Sequence, residues 1–360
     1  IGDGSVFYKG KIVDTAEALA SEKLIAAKVH LREGLALING TSVMTGIGVV
    51  NLIKAKNLLN WSIVASAIIN EIVDSYDDSF SEELNAVKRH KGQQIIAKLM
   101  RKALKGSKLV KKRHEHLYDQ EVKETVIKSK VQEYYSIRCV PQILGPVYDT
   151  IAEVEKVIVN EANSVNDNPV LDFEKNYVFH GGNFHGDYVS LEMDKLKIVV
   201  TKLTMLMERQ LNYVLNPRLN EKFPPFVNLG KLGLNLGMQG VQFTATSTTA
   251  ECQTLSFPNY IHSIPNNNDN QDIVSMGTNS ALIANKVIIN SYEVLGIYMM
   301  ALIQAIDCCE QKDKMSPFTR KIYNDLRAIV PTFIEDTTKY KQVKAMKDYL
   351  FETKIDLNEI

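Results

Sequence analysis

Apolar positions recur along most of the chain with the spacing of an α-helix, and this pattern predicts the main structural elements. Residues 187–216 contain neither glycine nor proline and are rich in leucine, methionine, lysine and glutamate, which favour helices. Apolar residues are spread so widely round this segment that we expect a buried helix. Residues 278–307 show the same pattern, with one interruption expected at Gly296. Both segments are predicted to lie inside the protein.

Further helices are expected at residues 51–76 and 123–160. The second should be broken near Pro141 and near the Gly-Pro pair at 145–146, because proline interrupts helical hydrogen bonding. Residues 231–256 form another predicted helix, whose small residues permit close packing against neighbours. The chain shows no alternation of strands with helices and no repeat of fixed period. The pattern therefore predicts an all-α fold with a long central helix bundle.

Two regions are more polar than the predicted bundle. Residues 311–360 are more charged and less periodic, which predicts peripheral C-terminal helices outside a core formed by residues 1–310. Residues 104–128 are the most polar internal stretch, and we expect them to form an exposed loop or an edge of the fold.

Composition and charge give no indication of a nucleic-acid-binding, membrane or disulfide-rich protein. The 42 Lys and Arg residues balance 42 Asp and Glu residues, so neither nucleic acid nor a membrane surface is indicated as a partner. The longest apolar run, residues 294–303, is well short of the ~18 residues that a membrane span needs. The 4 cysteines lack the spacing of a zinc site or a disulfide framework. They are interpreted as reduced thiols of a cytoplasmic protein.

The first candidate segment runs from Gly34 to Ser42, where an apolar stretch leads into Asn-Gly-Thr-Ser and then into a predicted helix. Thr41 or Ser42 is expected to cap that helix, and this is the interpretation that the pattern favours. The alternative is functional, because Asn39 would present an amide to a substrate beside free backbone N–H groups.

The second candidate segment contains Tyr135 and Arg138, which are three residues apart and would share one face of a helix. An arginine in this position can hold a carboxylate through two hydrogen bonds, and a tyrosine can act as a general base. The alternative, an amphipathic helix with an Arg–Glu pair, is the commoner situation for this pattern.

Two further segments are rich in asparagine, glycine and histidine. Asn-Asp-Asn-Pro at 166–169 is a turn signal, and the glycines at 181–186 allow close backbone approach. His180 and His185 suggest a metal site, but no ligand spacing supports one, so no metal is predicted. Residues 262–277 form an Asn-rich loop between two apolar helices, and we expect at least part of it to be buried.

Taken together, these segments closely resemble the family of ammonia-lyases and aminomutases that use a methylidene-imidazolone prosthetic group. The five matching blocks occur in family order and are most similar to those of bacterial tyrosine ammonia-lyases. The blocks are GLALINGT at 34–41, YSIRCVPQ at 135–142, NDNP at 166–169, GGNFHG at 181–186 and QDIVSMG at 271–277.

The resemblance implies an all-α lyase fold of the histidine ammonia-lyase type, with residues 1–360 forming one domain that lacks its N-terminal part. It also implies a homotetramer in which each active site draws residues from three subunits. The expected reaction eliminates ammonia from L-tyrosine or L-phenylalanine to give 4-coumarate or cinnamate. By match to the family motif, Tyr135 is the candidate base, Arg138 holds the substrate carboxylate, and Asn39 binds the carboxylate or the amine.

The remaining site residues also follow from the resemblance. Asn267, Asn270 and Gln271 are expected to contact polar groups of the substrate or the surroundings of the prosthetic group. Phe184 shapes the pocket near that group, and Gln132 supports the region of the base. Histidine lyases carry Glu where this chain has Gln271, and a neutral amide suits a phenyl or phenol ring. The substrate is therefore expected to be tyrosine or phenylalanine.

The prosthetic group, 4-methylidene-imidazole-5-one, forms in this family from an Ala-Ser-Gly tripeptide that this sequence does not contain. Family comparison places the tripeptide upstream of Ile1, so we expect the sequence to be one piece of a longer chain. Three alternatives stay open at this point: a histidine ammonia-lyase, an aminomutase on the same scaffold, and a non-catalytic helical assembly protein.

Overall fold

The computed structural model describes residues 1–118, 131–309 and 311–357, and it is built mainly of helices. The strands are β1 Ser5–Tyr8, β2 Lys11–Asp14, β3 Val170–Asp172 and β4 Tyr177–Phe179. The first helices are α1 Thr15–Ser21, α2 Glu33–Ile38, α3 Ser42–Ile72, α4 Glu82–Ala86, α5 Lys91–Ala103, α6 Tyr135–Arg138 and α7 Val140–Ala162. The others are α8 Asp187–Leu215, α9 Pro217–Asn220, α10 Gln239–Leu255, α11 Gly277–Cys309, α12 Pro317–Ile329 and α13 Tyr340–Glu352.

The chain forms two compact units. The hairpin unit, residues 1–42 and 164–186, contains α1, α2 and the two antiparallel hairpins β1–β2 and β3–β4. The bundle unit, residues 43–163 and 187–360, contains the long helices. The predicted all-α fold with a central bundle is confirmed, and the short hairpins are its only strands among the described residues. The assignment of residues 1–360 to one domain stays a prediction.

The centre of the bundle unit is the pair α8 and α11, which pack along each other. Leu203 and Leu211 of α8 are fully buried, as is every residue from Val294 to Gly296 of α11. Hydroxyl pairs cross the interface, including Thr204 Oγ1 with Ser291 Oγ at 2.6 Å. The prediction that both segments are buried helices is confirmed, because helices that are apolar nearly all round have to be covered on every side.

Two predicted helix breaks are wrong, and each marks a close approach of backbones instead. α11 runs through Gly296 without interruption, and a Cβ there would lie 3.3 Å from the backbone N of Lys347 on α13. α7 runs through Pro146, and a Cβ on Gly145 would lie 2.7 Å from the backbone N of Gln93 on α5. These glycines let neighbouring helices pack closely. The expected break near Pro141 is confirmed, since α6 ends at Arg138.

Other boundaries also differ from the prediction. α3 begins at Ser42, nine residues before the predicted start at residue 51. α10 begins at Gln239 rather than at residue 231, because Gly237 has a φ of 58° and its backbone N–H donates to Asp336 Oδ1. Residues 119–130 and 310 lie outside the described residues, as does the first part of the helix predicted at 123–160.

The C-terminal residues form α12 and α13, which pack against α11 in the bundle unit. Of the polar stretch 104–128, the described part is anchored to its neighbours and is only partly exposed. Leu104 and Leu109 are buried, and Lys108 N donates to Lys314 O at 2.8 Å.

Two helical stretches are long and apolar enough to span a membrane by length and composition alone, Glu33–Ile72 and Gly277–Cys309. In the second, 89% of the most apolar window is buried inside the protein, against 28% in the first. Core helices of globular proteins meet the same criterion, and α11 is such a helix.

A buried carboxylate joins α3 to α12. Glu71 Oε1 accepts from Ser316 N and Oε2 accepts from Thr319 Oγ1, both at 2.5 Å, while Ser316 caps α12. Ser316 Oγ also donates to Ala103 O at the end of α5. Burial raises the pKa of the Glu71 carboxyl above its usual range, although hydrogen bonds from its neighbours partly oppose this.

Since the pKa of Glu71 is raised by folding, its contribution to the free energy of unfolding should decrease as pH rises through the window above the ordinary Glu pKa. In Glu71→Gln this decrease should be smaller by up to about 1.4 kcal/mol per pH unit, the slope for one proton. Denaturant unfolding at several pH values measures it, with the exposed Glu83→Gln as control. An unchanged slope in Glu71→Gln would contradict the assignment.

Candidate functional site

A cavity of about 700 Å³ lies in the bundle unit beside α6. It brings together three of the eight residues that the sequence predicts for the site: Gln132, Tyr135 and Arg138. The other side chains of its wall are those of Glu133, Tyr134, Ser136, Arg209, Asn212, Tyr213 and Leu219.

Tyr135 and Arg138 stand on the single turn of α6. The Arg138 guanidinium lies 5.0 Å from the centroid of the Tyr135 ring, which confirms that the two side chains share a face. Arg138 NH1 donates to Gln132 Oε1 at 2.7 Å. Tyr135 is 70% exposed and lines the cavity, so its side chain is accessible to a ligand. The phenol, the guanidinium and the amide therefore converge on one space.

Arg138 retains hydrogen-bonding capacity after this contact. Its Nε is buried and has no hydrogen-bond acceptor among the residues that the structure describes. A buried N–H donor without an acceptor is unfavourable, and a carboxylate is the partner that best matches a guanidinium. The commoner alternative, an Arg–Glu pair on an amphipathic helix, is not what the described residues show, since Arg138 pairs with Gln132 and α6 is only one turn long.

Two buried amides hold the backbone of α6 against the bundle. Gln210 Nε2 on α8 donates to Ser136 O at 2.8 Å, and Asn70 Nδ2 on α3 donates to Ile137 O at 3.1 Å. Gln210 and Asn70 are each only 1% exposed. These hydrogen bonds satisfy carbonyl groups that a one-turn helix leaves unpaired. The positions of Tyr135 and Arg138 thus depend on the long helices behind them.

The sequence interpretation missed the part of the cavity wall that α8 supplies. Arg209, Asn212 and Tyr213 are spaced i, i+3 and i+4, so they share one face. Arg209 Nε donates to Glu208 Oε2 at 2.5 Å, and the Tyr213 ring meets the Tyr134 ring edge to face at 5.6 Å. A polar stripe on an otherwise apolar helix is the signal that could have found them.

Asn267, Asn270 and Gln271 lie in the loop between α10 and α11 and do not line this cavity. The loop turns sharply, with Asn270 N donating to Asn267 O at 3.2 Å and Gln271 paired with Asn266 as a β-bridge. Residues 267–269 all have positive φ, which asparagine and aspartate tolerate better than most residues. The Asn-rich composition is thereby explained by the turn.

The expectation that at least part of the segment 262–277 is buried is confirmed only at its end, at residues 274–277. Residues 261–273 are exposed, and partial burial begins only at Val274. The exposed residues include Ile261, Ile264 and Ile273, each about two-thirds exposed.

Asn39 and Phe184 belong to the hairpin unit. Asn39 ends α2, its N–H donating to Leu35 O at 2.8 Å, and Phe184 is 39% exposed. The Asn-Gly-Thr and Asn-Asp-Asn-Pro motifs meet here, because a Cβ on Gly40 would lie 2.8 Å from Asn166 O. Gly40 has a φ of 78°, so only glycine fits. α3 begins at Ser42, so Thr41 is the residue directly before the helix, the position of an N-terminal cap.

The described residues offer neither a cluster of metal ligands nor a reactive thiol. Among residues 1–118, 131–309 and 311–357, no three His, Cys, Asp or Glu side chains are placed to share a metal ion. The cysteines are free. Burial raises the pKa of Cys252 and Cys309 to about 11 and that of Cys308 to about 12. These thiols therefore stay protonated at neutral pH and are poor nucleophiles.

Residues 1–328 match the family described as aromatic amino acid lyase, which confirms the resemblance carried by the five motifs. The chain belongs to the aromatic amino acid lyase family. This family holds ammonia-lyases and aminomutases of aromatic amino acids, and several of its members resemble the chain over nearly its full length.

A tyrosine 2,3-aminomutase of Myxococcus sp. (strain Mx-B0) is 40% identical over 344 residues, which are 93% of this chain and 65% of that protein. A histidine ammonia-lyase of Caldanaerobacter subterraneus subsp. tengcongensis is 35% identical over 99% of this chain and 66% of that protein. The crystal structure of a tyrosine aminomutase from Streptomyces globisporus superimposes with a TM-score of 0.92 at 36% identity, covering 98% of this chain and 68% of that one. The chain thus spans about two-thirds of the length of these relatives.

Proposed function

We propose that this chain supplies part of the active site of a tyrosine 2,3-aminomutase, an enzyme that moves the amino group of L-tyrosine from the α- to the β-carbon. The observation that carries the proposal is the cavity in which Tyr135, Arg138 and Gln132 converge. The tyrosine 2,3-aminomutase name of the Myxococcus relative supports the substrate and the type of reaction.

The chemistry of the cavity residues fits the first half of this reaction. Arg138 binds the substrate carboxylate and so places the β-carbon near Tyr135. As a phenolate, Tyr135 takes the proton from the β-carbon while ammonia leaves the α-carbon, which produces an α,β-unsaturated acid. In a mutase the ammonia then adds to the β-carbon, and the proton held at Tyr135 Oη returns to the α-carbon. In a lyase both products leave instead.

The prosthetic group of the family is 4-methylidene-imidazole-5-one, formed from an Ala-Ser-Gly tripeptide that this sequence does not contain. When bound, it supplies an electrophile that makes the substrate amine a better leaving group. Phe184 and Gln132 are the residues proposed to lie beside it. Both side chains are accessible, since Phe184 is 39% exposed and Gln132 lies in the cavity wall.

Five proposed site residues lie outside the cavity wall: Asn39, Phe184, Asn267, Asn270 and Gln271. We propose that copies of the chain assemble into a homotetramer and that the loop of one copy completes the cavity of another. The exposed apolar side chains support this assembly, among them Phe243 on α10 at 68% and Ile53 on α3 at 52%. The neutral amide of Gln271 supports an uncharged ring in the substrate, and the reduced thiols are compatible with a cytoplasmic location.

An ammonia-lyase is the second candidate, acting on L-tyrosine or L-phenylalanine to give 4-coumarate or cinnamate. The histidine ammonia-lyase relative favours elimination without return of ammonia. L-histidine is the third substrate to compare, although Gln271 argues against it. In a non-catalytic helical assembly protein, Tyr135, Arg138 and Gln132 would have no reason to line one cavity. Their position together argues against that alternative.

The products of the full-length protein test the proposal. After incubation with L-tyrosine, chromatography should detect β-tyrosine, with 4-coumarate as a minor product. Parallel incubations with L-phenylalanine and L-histidine should give slower turnover. 4-Coumarate alone would favour the ammonia-lyase, and the absence of any product from the three amino acids would contradict an enzymatic role.

Replacing the base and the carboxylate clamp should separate their roles. Tyr135→Phe is expected to lower kcat by about 10³-fold, within the range for loss of a general base, while assembly stays intact. Arg138→Ala should raise KM and lower kcat/KM by about 100-fold, because the carboxylate loses its charged partner. Steady-state kinetics and light scattering measure both effects.

Tyr188→Phe is the matched control, since Tyr188 is also 70% exposed and lies on α8 outside the cavity wall. It should retain the activity of the wild type. If Tyr135→Phe lost its assembly together with its activity, Tyr135 would be structural rather than catalytic.

A further inference from the structure

The loop between α10 and α11 is fastened to the bundle at its base. Asn259 Nδ2 donates to Met276 O at 3.2 Å and to Ser280 Oγ at 3.1 Å, which ties the two ends of the loop together. Next to it, Tyr260 N donates to Asp194 Oδ2 of α8 at 2.7 Å. These contacts hold the base of the loop, whose residues 261–273 are exposed.

Asp194 forms an ion pair that is buried inside the bundle. Lys197 Nζ lies 2.6 Å from Asp194 Oδ1, and the two side chains are 0% and 3% exposed. Among the residues that the structure describes, Nζ has no hydrogen bond of good geometry. A buried ion pair with an unsatisfied ammonium contributes little to stability, and apolar residues of similar size often serve as well. Stability is therefore a weak explanation for this pair.

The contact between Asp194 and the loop is a stronger explanation for the presence of this buried ion pair. Lys197 Nζ lies against one carboxylate oxygen of Asp194, and the other oxygen accepts from the Tyr260 N–H. The charge of a carboxylate acceptor strengthens such a hydrogen bond. That bond joins α8 directly to the loop that carries Asn267, Asn270 and Gln271. The charge of Lys197 thus acts on the loop through Asp194.

We propose that Lys197 and Asp194 are positioning residues that fix the loop 259–276 and thereby place Asn267, Asn270 and Gln271 for the substrate. The part that concerns the substrate rests on the function proposed above. The part that concerns the loop stands on the contacts at its base alone. Neither residue touches the substrate in this account.

Two double variants of the full-length protein separate the hydrogen bond from the buried charges. Asp194→Asn with Lys197→Met removes both charges but keeps an oxygen acceptor for Tyr260 N. Asp194→Ala with Lys197→Met removes the charges and the acceptor. Amide hydrogen exchange of residues 260–273 reports on the loop, and kcat and KM for L-tyrosine report on the site.

The Ala pair should exchange about tenfold faster in residues 260–273, the factor expected for loss of one hydrogen bond, with KM raised about as much and kcat changed less. The Asn pair keeps an acceptor but loses the charge that strengthens the bond, so its exchange and KM should lie between those of the wild type and the Ala pair. Lys195→Met is the matched control, because Lys195 pairs with Glu192 on the same helix at the same spacing. It should leave exchange and kinetics unchanged.

Wild-type exchange in the Ala pair would overturn the proposal, as would faster exchange spread equally over all helices. Exchange requires no turnover, so the two proposals fail separately. A wild-type protein that is inactive on L-tyrosine defeats the proposed function, while its exchange rates still decide whether Lys197 and Asp194 hold the loop.

Discussion

The burial of α8 and α11 is the constraint on which the rest of the bundle unit depends. Both helices bury most of their residues, so each has to be covered on most of its circumference. α3, α7, α10 and α13 provide the cover, and the glycines at 145 and 296 let helices approach where larger residues would keep them apart. Apolar side chains remain exposed on α3 and α10, among them Ile53 and Phe243.

α8 also acts as the common support of the functional segments in this unit. Its buried Gln210 holds the carbonyl of Ser136 in α6, and its buried Asp194 holds the N–H of Tyr260 at the base of the loop. Its exposed face adds Arg209 and Asn212 to the cavity wall. The one-turn helix α6 and the loop 259–276 are thereby both anchored to α8, a long helix that holds them in place.

Much of this arrangement was predictable from the sequence. The periodicity of residues 187–216 and 278–307 predicted the central helices, and the spacing of Tyr135 and Arg138 predicted their shared face. Gly145 and Gly296 were misinterpreted because a glycine that ends a helix and one that admits a neighbour look alike in sequence. Arg209 was missed because a polar stripe on a helix does not show by itself whether it faces a cavity or open solvent. The positions of Asn267 and Gln271 outside the cavity wall were not predictable, because periodicity places residues on a helix face and does not describe the path of a loop.

The central claim is that one copy of the chain supplies Tyr135 and another supplies Gln271 to the same active site. Mixed assemblies of two full-length variants, Tyr135→Phe and Gln271→Ala, test it most directly. Each variant alone should be nearly inactive on L-tyrosine. Purified assemblies that contain both should recover up to about a quarter of wild-type activity, the share of sites with both native residues if subunits mix at random. Mixed assemblies as inactive as either variant alone would contradict the account.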